Sequence, residues 1–153
     1  MTALRTGHPT VTRPGSGVRV TVLAVLRLAG AGLLATNAGI HADLWNLGYR
    51  SIPTIGPLFL LDVIAASVLT LAVLGAPRRL LWVVAATGAL LEVGTVAGLY
   101  LATKHSLFGF TESTRAYLYG QSVWTEIAGT VVLAVLAALA RRWGRTGSSG
   151  PWW

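Results

Sequence analysis

Four ionisable side chains interrupt the apolar stretches of this sequence, one in each stretch: Arg27, Asp62, Glu92 and Glu126. At the centre of a helix in hydrocarbon such a group costs about 2.5–3.5 kcal/mol on insertion scales, so none is expected to face lipid. Counted inward from the expected outer end of each stretch at about 1.5 Å per residue, Asp62 and Glu126 lie at about 9 Å, Glu92 at about 16 Å and Arg27 at about 20 Å. Those depths predict an Arg27–Glu92 pair across an inward seam, with Asp62 and Glu126 at matching height above it. Gly88, Glu92 and Thr95 share one helical face, as do Ser122, Glu126 and Thr130. Two chemistries fit this intramembrane charge network. One is a purely structural lock, with Arg27 neutralising one or two carboxylates and fixing helix register. In the other, three carboxylates sharing one cation form a proton relay or a site for a cationic ligand.

A second set of reactive types falls at the expected outer ends of the apolar stretches: His41, Asp43, Trp45, His105 and Glu112. Two imidazoles from different helices are what a bis-histidine haem requires. His41, Asp43, His105 and Glu112 are the types a metal site would draw on. A quinone or lipid pocket beneath the same loops needs only apolar walls and a few polar groups. None of these sites has diagnostic spacing, so no cofactor is evident and no catalytic residue is assigned. No Ser–His–Asp set, phosphate-binding glycine loop or dinucleotide fingerprint occurs, and Gly30-Ala31-Gly32 is read as a packing element. With no cysteine, disulfides, thiol redox chemistry and thiolate metal centres are excluded.

The elements that must position these groups are set by hydropathy. Apolar residues make up 54% of the chain and charged residues 11%, less than half the share typical of soluble domains, about 25%. They gather in four blocks of about twenty residues, the length that spans a hydrocarbon core of about 30 Å. The expected fold is an all-α integral membrane four-helix bundle with spans at about 18–40, 56–76, 80–103 and 120–140. Residues 1–17 and 141–153 are expected to be flexible cytoplasmic tails. His41–Ile55 is expected to be the first outer loop, and Lys104–Tyr119 the second, with a short helix after Thr111. Gly94 and Gly98 form a small-xxx-small pair suited to close helix approach. A cleaved signal peptide ending near Thr36-Asn37-Ala38 competes for the first block, which is long for such a segment and is interrupted by Arg27.

The net charge of +7 does not point to nucleic acid, because the cations cluster at block ends. Eight (Arg5, Arg13, Arg19, Arg78, Arg79, Arg141, Arg142, Arg145) fall on one side of the expected bilayer and three (Arg50, Lys104, Arg115) on the other. Positive charge is retained inside, so both termini are expected in the cytoplasm and the two longer loops outside. Eleven of the twelve cations are arginine. With abundant Ala, Gly and Val, that bias suggests a bacterial protein of the inner cell membrane.

The stretch His41-Ala42-Asp43-Leu44-Trp45-Asn46-Leu47-Gly48-Tyr49-Arg50, followed by Ile52-Pro53-Thr54-Ile55-Gly56-Pro57-Leu58-Phe59, resembles a group of small four-helix membrane proteins from actinobacteria. Arg27-Leu28-Ala29-Gly30 is also similar to DoxX-like four-helix proteins. The resemblance implies the four-pass topology and transfers no residue role. The expected function is a small multi-pass protein in the lipid bilayer, a structural or accessory component of a larger membrane complex or a homo-oligomer. The alternative is outer-leaflet binding of a quinone, haem, lipid or cation, or proton-coupled transport through Asp62, Glu92 and Glu126. A membrane enzyme using His41, Asp43, His105 and Glu112 ranks third.

Overall fold

The computed structural model describes residues 16–145. They form four helices: α1 (Ser16–Leu47), α2 (Ile55–Gly75), α3 (Arg78–Lys104) and α4 (Tyr119–Arg145), with a 3₁₀ turn at Tyr49–Ser51. All four are long and apolar enough to cross a membrane, and no strand occurs among the described residues. The segments expected as tails at 1–15 and 146–153 lie outside the described residues. Arg141–Arg145, expected to belong to the second tail, instead completes the last turns of α4.

α1 continues seven residues past its expected end. Nothing between Ile40 and Leu47 breaks a helix, and Ile40, Leu44 and Leu47 keep the apolar i, i+4, i+7 spacing. The helix stops where Gly48 takes φ 139°, a conformation that side-chain-bearing residues rarely adopt. His41, Asp43 and Trp45 are therefore helical residues rather than loop residues. Pro57 is tolerated in the first turn of α2, where its missing N–H has no intrahelical partner to lose. Pro77 ends the other side: Ala76 before it is extended, and the chain turns directly into α3.

α1 packs against α2 and α4, and α3 packs against α4; α2 and α3 meet least among neighbours, and α1 and α3 barely touch across the diagonal. The four helices thus close a ring in chain order, up-down-up-down. Both long connections lie at one end (the loop end); the other end carries the short Ala76-Pro77 turn and the outermost described residues of α1 and α4. The polarity is inverted relative to a soluble bundle. Asn37, His41, Asp62, Glu92, Ser122 and Glu126 are buried, while Leu28, Leu61, Val68, Leu71, Leu90 and Val131 are exposed. This is the distribution expected where the surroundings are as apolar as leucine.

The half away from the loop end is filled by Leu34, Val73, Leu81, Leu133 and Leu136, all buried. Leu133 fits against Gly30, where an added Cβ would stand 2.7 Å from its Cδ2. At that end the structure corrects the expected charge pairing. The Arg27 guanidinium donates through Nη2 to the carbonyl of Ala76 at the end of α2, not to Glu92. Among the described residues the one contact at ion-pair distance is His41–Asp62, which carries opposite charges when the imidazole is protonated. The longer α1 explains the difference: Arg27 lies about 30 Å from that helix's loop end, whereas Glu92 lies about 18 Å from the loop end of α3. At its actual depth Arg27 meets the free carbonyls and negative dipole end of α2, a favourable place for a cation.

The glycines also divide differently from the sequence expectation. Gly94 and Gly98 have nothing within 4 Å of an added Cβ, so they bring no helix close. Gly129 has the opposite role. Its added Cβ would lie 2.9 Å from the Glu92 Cδ, so the bare backbone of α4 is what seats the Glu92 side chain. Gly129→Ala is expected to destabilise the detergent-solubilised protein by about 1–3 kcal/mol through overpacking, read as a lower thermal-unfolding midpoint. Gly98→Ala in the same assay is expected to be neutral or stabilising, since it gains helix propensity and meets no neighbour.

Candidate functional site

Three helices bring polar side chains to one level in the loop-end half. His41 is six residues below the end of α1, Asp62 seven below the start of α2 and Glu126 seven below the start of α4. At about 1.5 Å per residue all three lie about 9–11 Å below the loop end. Asn37, one turn below His41 on α1, donates from Nδ2 to Asp62 Oδ2 at 3.2 Å. His41 Nδ1 stands 3.3 Å from the same carboxylate oxygen and 3.1 Å from the carbonyl oxygen of Asn37. A backbone carbonyl only accepts, so Nδ1 must carry the ring hydrogen. In the neutral ring this tautomer leaves Nε2 as an acceptor, whereas in the protonated ring both nitrogens donate.

Glu126 and Glu92 are 1% and 0% exposed. The Thr95 hydroxyl donates to the backbone carbonyl of Glu92 at 2.8 Å. Several buried oxygens have no hydrogen-bond partner: Oδ1 of Asn37 and Asp62, both carboxyl oxygens of Glu92, Oε2 of Glu126 and the Thr130 hydroxyl. The inward faces read from the sequence, Gly88/Glu92/Thr95 and Ser122/Glu126/Thr130, do point into the bundle. Their partner is different from the one expected. With Arg27 turned to Ala76, His41 is the one basic side chain paired with an interior carboxylate among the described residues.

Above these groups lies a cavity of 360 Å³. His41, Asp62, Thr95, Ser122 and Glu126 contribute its polar wall, and the rest is mainly apolar or aromatic. Leu58 and Leu61 of α2 and Leu90 and Gly94 of α3 line it and are also exposed, so it opens along the seam where α2 and α3 meet least, and exposed Tyr117 marks a second open side at the α3–α4 connection. Gly94 and Gly98 leave that wall without side chains. Glu92 does not line the cavity; it sits beneath it against Gly129.

The roof is an aromatic chain. Phe59 packs on His41 with ring centroids 4.9 Å apart, Tyr49 stacks on Phe59 at 4.9 Å, and Phe110 meets Tyr49 edge-on at 5.7 Å. Phe110 is held by a two-residue turn, Phe108-Gly109, closed by paired backbone hydrogen bonds between Leu107 and Phe110. Both central residues have positive φ, as this turn type requires. The Tyr49 hydroxyl donates to Glu112 Oε2 at 2.6 Å, while the Glu112 backbone N–H donates to the Ala102 carbonyl at 3.0 Å. These bonds tie the α3–α4 connection across the bundle to the α1–α2 connection. The segment after Thr111 is a series of turns rather than the expected short helix.

Of the five residues expected to form an outer ligand pocket, His41 and Glu112 line the cavity, while Asp43, Trp45 and His105 do not. Asp43 is exposed on α1, Trp45 lies beside the Arg50 guanidinium, and His105 is exposed as the C-cap of α3. The two imidazoles therefore do not face one another across a haem-sized space. Among the described residues no three His, Asp or Glu side chains converge as a metal site. Asn37, Tyr49, Phe59 and Phe110 belong to the site but were not singled out by the sequence. The i, i+4 spacing of Asn37 and His41 is the signal in the sequence, and the expectation that His41 lies in a loop hides it.

No protein-family model matches this chain, and neither a curated protein nor a solved structure matches it. The geometry alone carries the functional reading.

Burial and the Glu112 carboxylate push the Tyr49 hydroxyl above the ordinary tyrosine range, so it stays protonated and keeps donating. Because the folded-state value is raised, this contribution is complete below the unfolded tyrosine pKa of about 10 and is lost only as pH climbs further. Tyr49→Phe is expected to increase proteolysis and amide exchange across residues 105–118 at neutral pH. It is also expected to remove a late step from the alkaline tyrosinate titration. Unchanged protection of that segment would show that the Tyr49–Glu112 bond does not hold the roof.

Proposed function

We propose that this protein is a small-ligand-binding membrane protein whose site is the loop-end cavity. The observation that carries this reading is a cavity of 360 Å³ with mainly apolar walls, a few convergent polar side chains and a mouth between α2 and α3. Ligand pockets of folded proteins have this size and makeup, about 300–1,000 Å³ with a small number of placed polar groups. A side opening among exposed leucines suits a molecule that arrives dissolved in the bilayer, with an apolar body and one polar head. The cation asymmetry of the sequence supports placing the loop end in the outer leaflet of a bacterial inner membrane, with both termini in the cytoplasm.

The test uses the neutral amphiphile 4-phenylbutanol and full-length protein in lipid nanodiscs. Saturation-transfer NMR is expected to show binding to the wild-type chain. Gly98→Phe, which projects a ring into the open cavity, is expected to abolish that signal while leaving thermal stability intact. Equal signal from the two proteins would reject the cavity as a binding site, as would silence of the wild-type chain toward this alcohol and toward the amine and acid that share its apolar body.

A second reading is favoured by α1, where Gly32, Thr36, Gly39 and Asp43 form an exposed row at helical spacing. Small residues in such a row let another helix approach closely. A structural or accessory role beside a larger membrane complex, or a homo-oligomer, would use this face. Gly32→Leu with Gly39→Leu is expected to shift the mild-detergent assembly to smaller mass on light scattering if so. A monomer of unchanged mass before and after the substitutions would remove this reading.

A further inference from the structure

We infer that the ligand of the loop-end cavity is a protonated amine carrying an apolar body, with its ammonium group held by Asp62 and Glu126; this rests on the cavity being a binding site. The first ground is the inventory of open hydrogen-bonding positions. Asp62 Oδ1 and Glu126 Oε2 are buried, belong to side chains lining the cavity and have no hydrogen-bond partner. Both residues are more than nine-tenths buried, at 7% and 1% exposure. Open carboxyl oxygens in a low-dielectric site are best satisfied by a donor, and a charged donor gives the stronger bond.

The second ground is the missing counter-charge. Asp62 and Glu126 line the same cavity, yet the interior arginine that the sequence offers them is engaged with Ala76. His41 reaches Asp62 through Oδ2 and leaves Oδ1 open. Among the described residues no Lys or Arg lines the cavity. An anionic ligand would face three carboxyl groups, Asp62, Glu112 and Glu126, with no lysine or arginine beside them to offset their charge.

The third ground is the aromatic lining, which includes the roof. Tyr49, Phe59, Phe110, Tyr117 and Tyr119 all line the cavity. Aromatic faces attract ammonium groups and also accept an apolar body, the combination used wherever organic cations are recognised. The amine would enter through the α2–α3 seam, its body resting along Leu58, Leu61 and the bare backbone of Gly94 and Gly98. Its head would then lie at the level shared by Asp62 and Glu126.

The test compares 4-phenylbutylamine, 4-phenylbutanol and 4-phenylbutyrate, which share one apolar body and differ in the head group. Binding is measured in zwitterionic nanodiscs at neutral pH against wild type, Asp62→Asn, Glu126→Gln and Gly98→Phe. The amine is expected to bind wild type about tenfold or more tighter than the alcohol, as a charged hydrogen bond allows, and the acid weakest. Asp62→Asn and Glu126→Gln should each remove that advantage and leave alcohol binding in place, which also shows that the variants fold. Equal affinity for amine and alcohol, or preference for the acid, would overturn the amine assignment and leave the cavity reading standing. Failure of all three to bind, or binding insensitive to Gly98→Phe, would overturn both.

Discussion

Placing a charged side chain inside a bundle surrounded by hydrocarbon costs several kcal/mol unless another group satisfies it, and this chain places four such side chains there. Each is handled differently. Arg27 runs to the end of α2 and caps a carbonyl that no helical N–H can reach. Asp62 is supported by Asn37 and His41, both on α1, which makes the α1–α2 pair the best-bonded polar contact of the interior. Glu92 is accommodated sterically, in the notch that Gly129 leaves in α4. Glu126 keeps an open oxygen and belongs to the cavity wall. Apart from Arg27 Nε and the Thr130 hydroxyl, the buried side-chain atoms left without a partner among the described residues are acceptor oxygens, those of Asn37, Asp62, Glu92 and Glu126.

That imbalance separates the bundle into two halves with different physics. Away from the loop end, leucine and valine fill the space and Leu133 occupies the notch beside Gly30, the dense packing that makes a rigid base. Toward the loop end the packing opens. α2 and α3 are joined by a short turn at the far end and meet little, and α3 presents glycine twice where side chains would have filled the gap. The roof over that gap is held by ring contacts and by the Tyr49–Glu112 bond rather than by helix packing. Connections held by so few contacts belong to the low-stability, mobile part of a fold, while the base provides the fixed frame. A site of this construction combines fixed polar groups below with a yielding cover and a side entrance.

Much of this was legible from the residues alone. Four apolar blocks define four spanning-length helices because only a continuous helix satisfies its own backbone in hydrocarbon. The inward turn of Asp62, Glu92 and Glu126 follows from the same cost, as does the shared height of Asp62 and Glu126, since helical rise converts residue number directly into depth. Partnership was not legible. A seven-residue extension of α1, carried by residues with no strong breaker among them, took His41 from an expected loop into the interior. The same extension moved Arg27 out of reach of Glu92. Whether Gly94 and Gly98 draw helices together or leave a void depends on which face meets a neighbour, and a spacing pattern carries no such information. The tertiary structure decided those points because contacts between helices depend on where each helix ends and how it is rotated against the next. The sequence by itself determined the class, the four spanning-length helices and the residues that must avoid lipid, because those depend only on local transfer cost and helical rise.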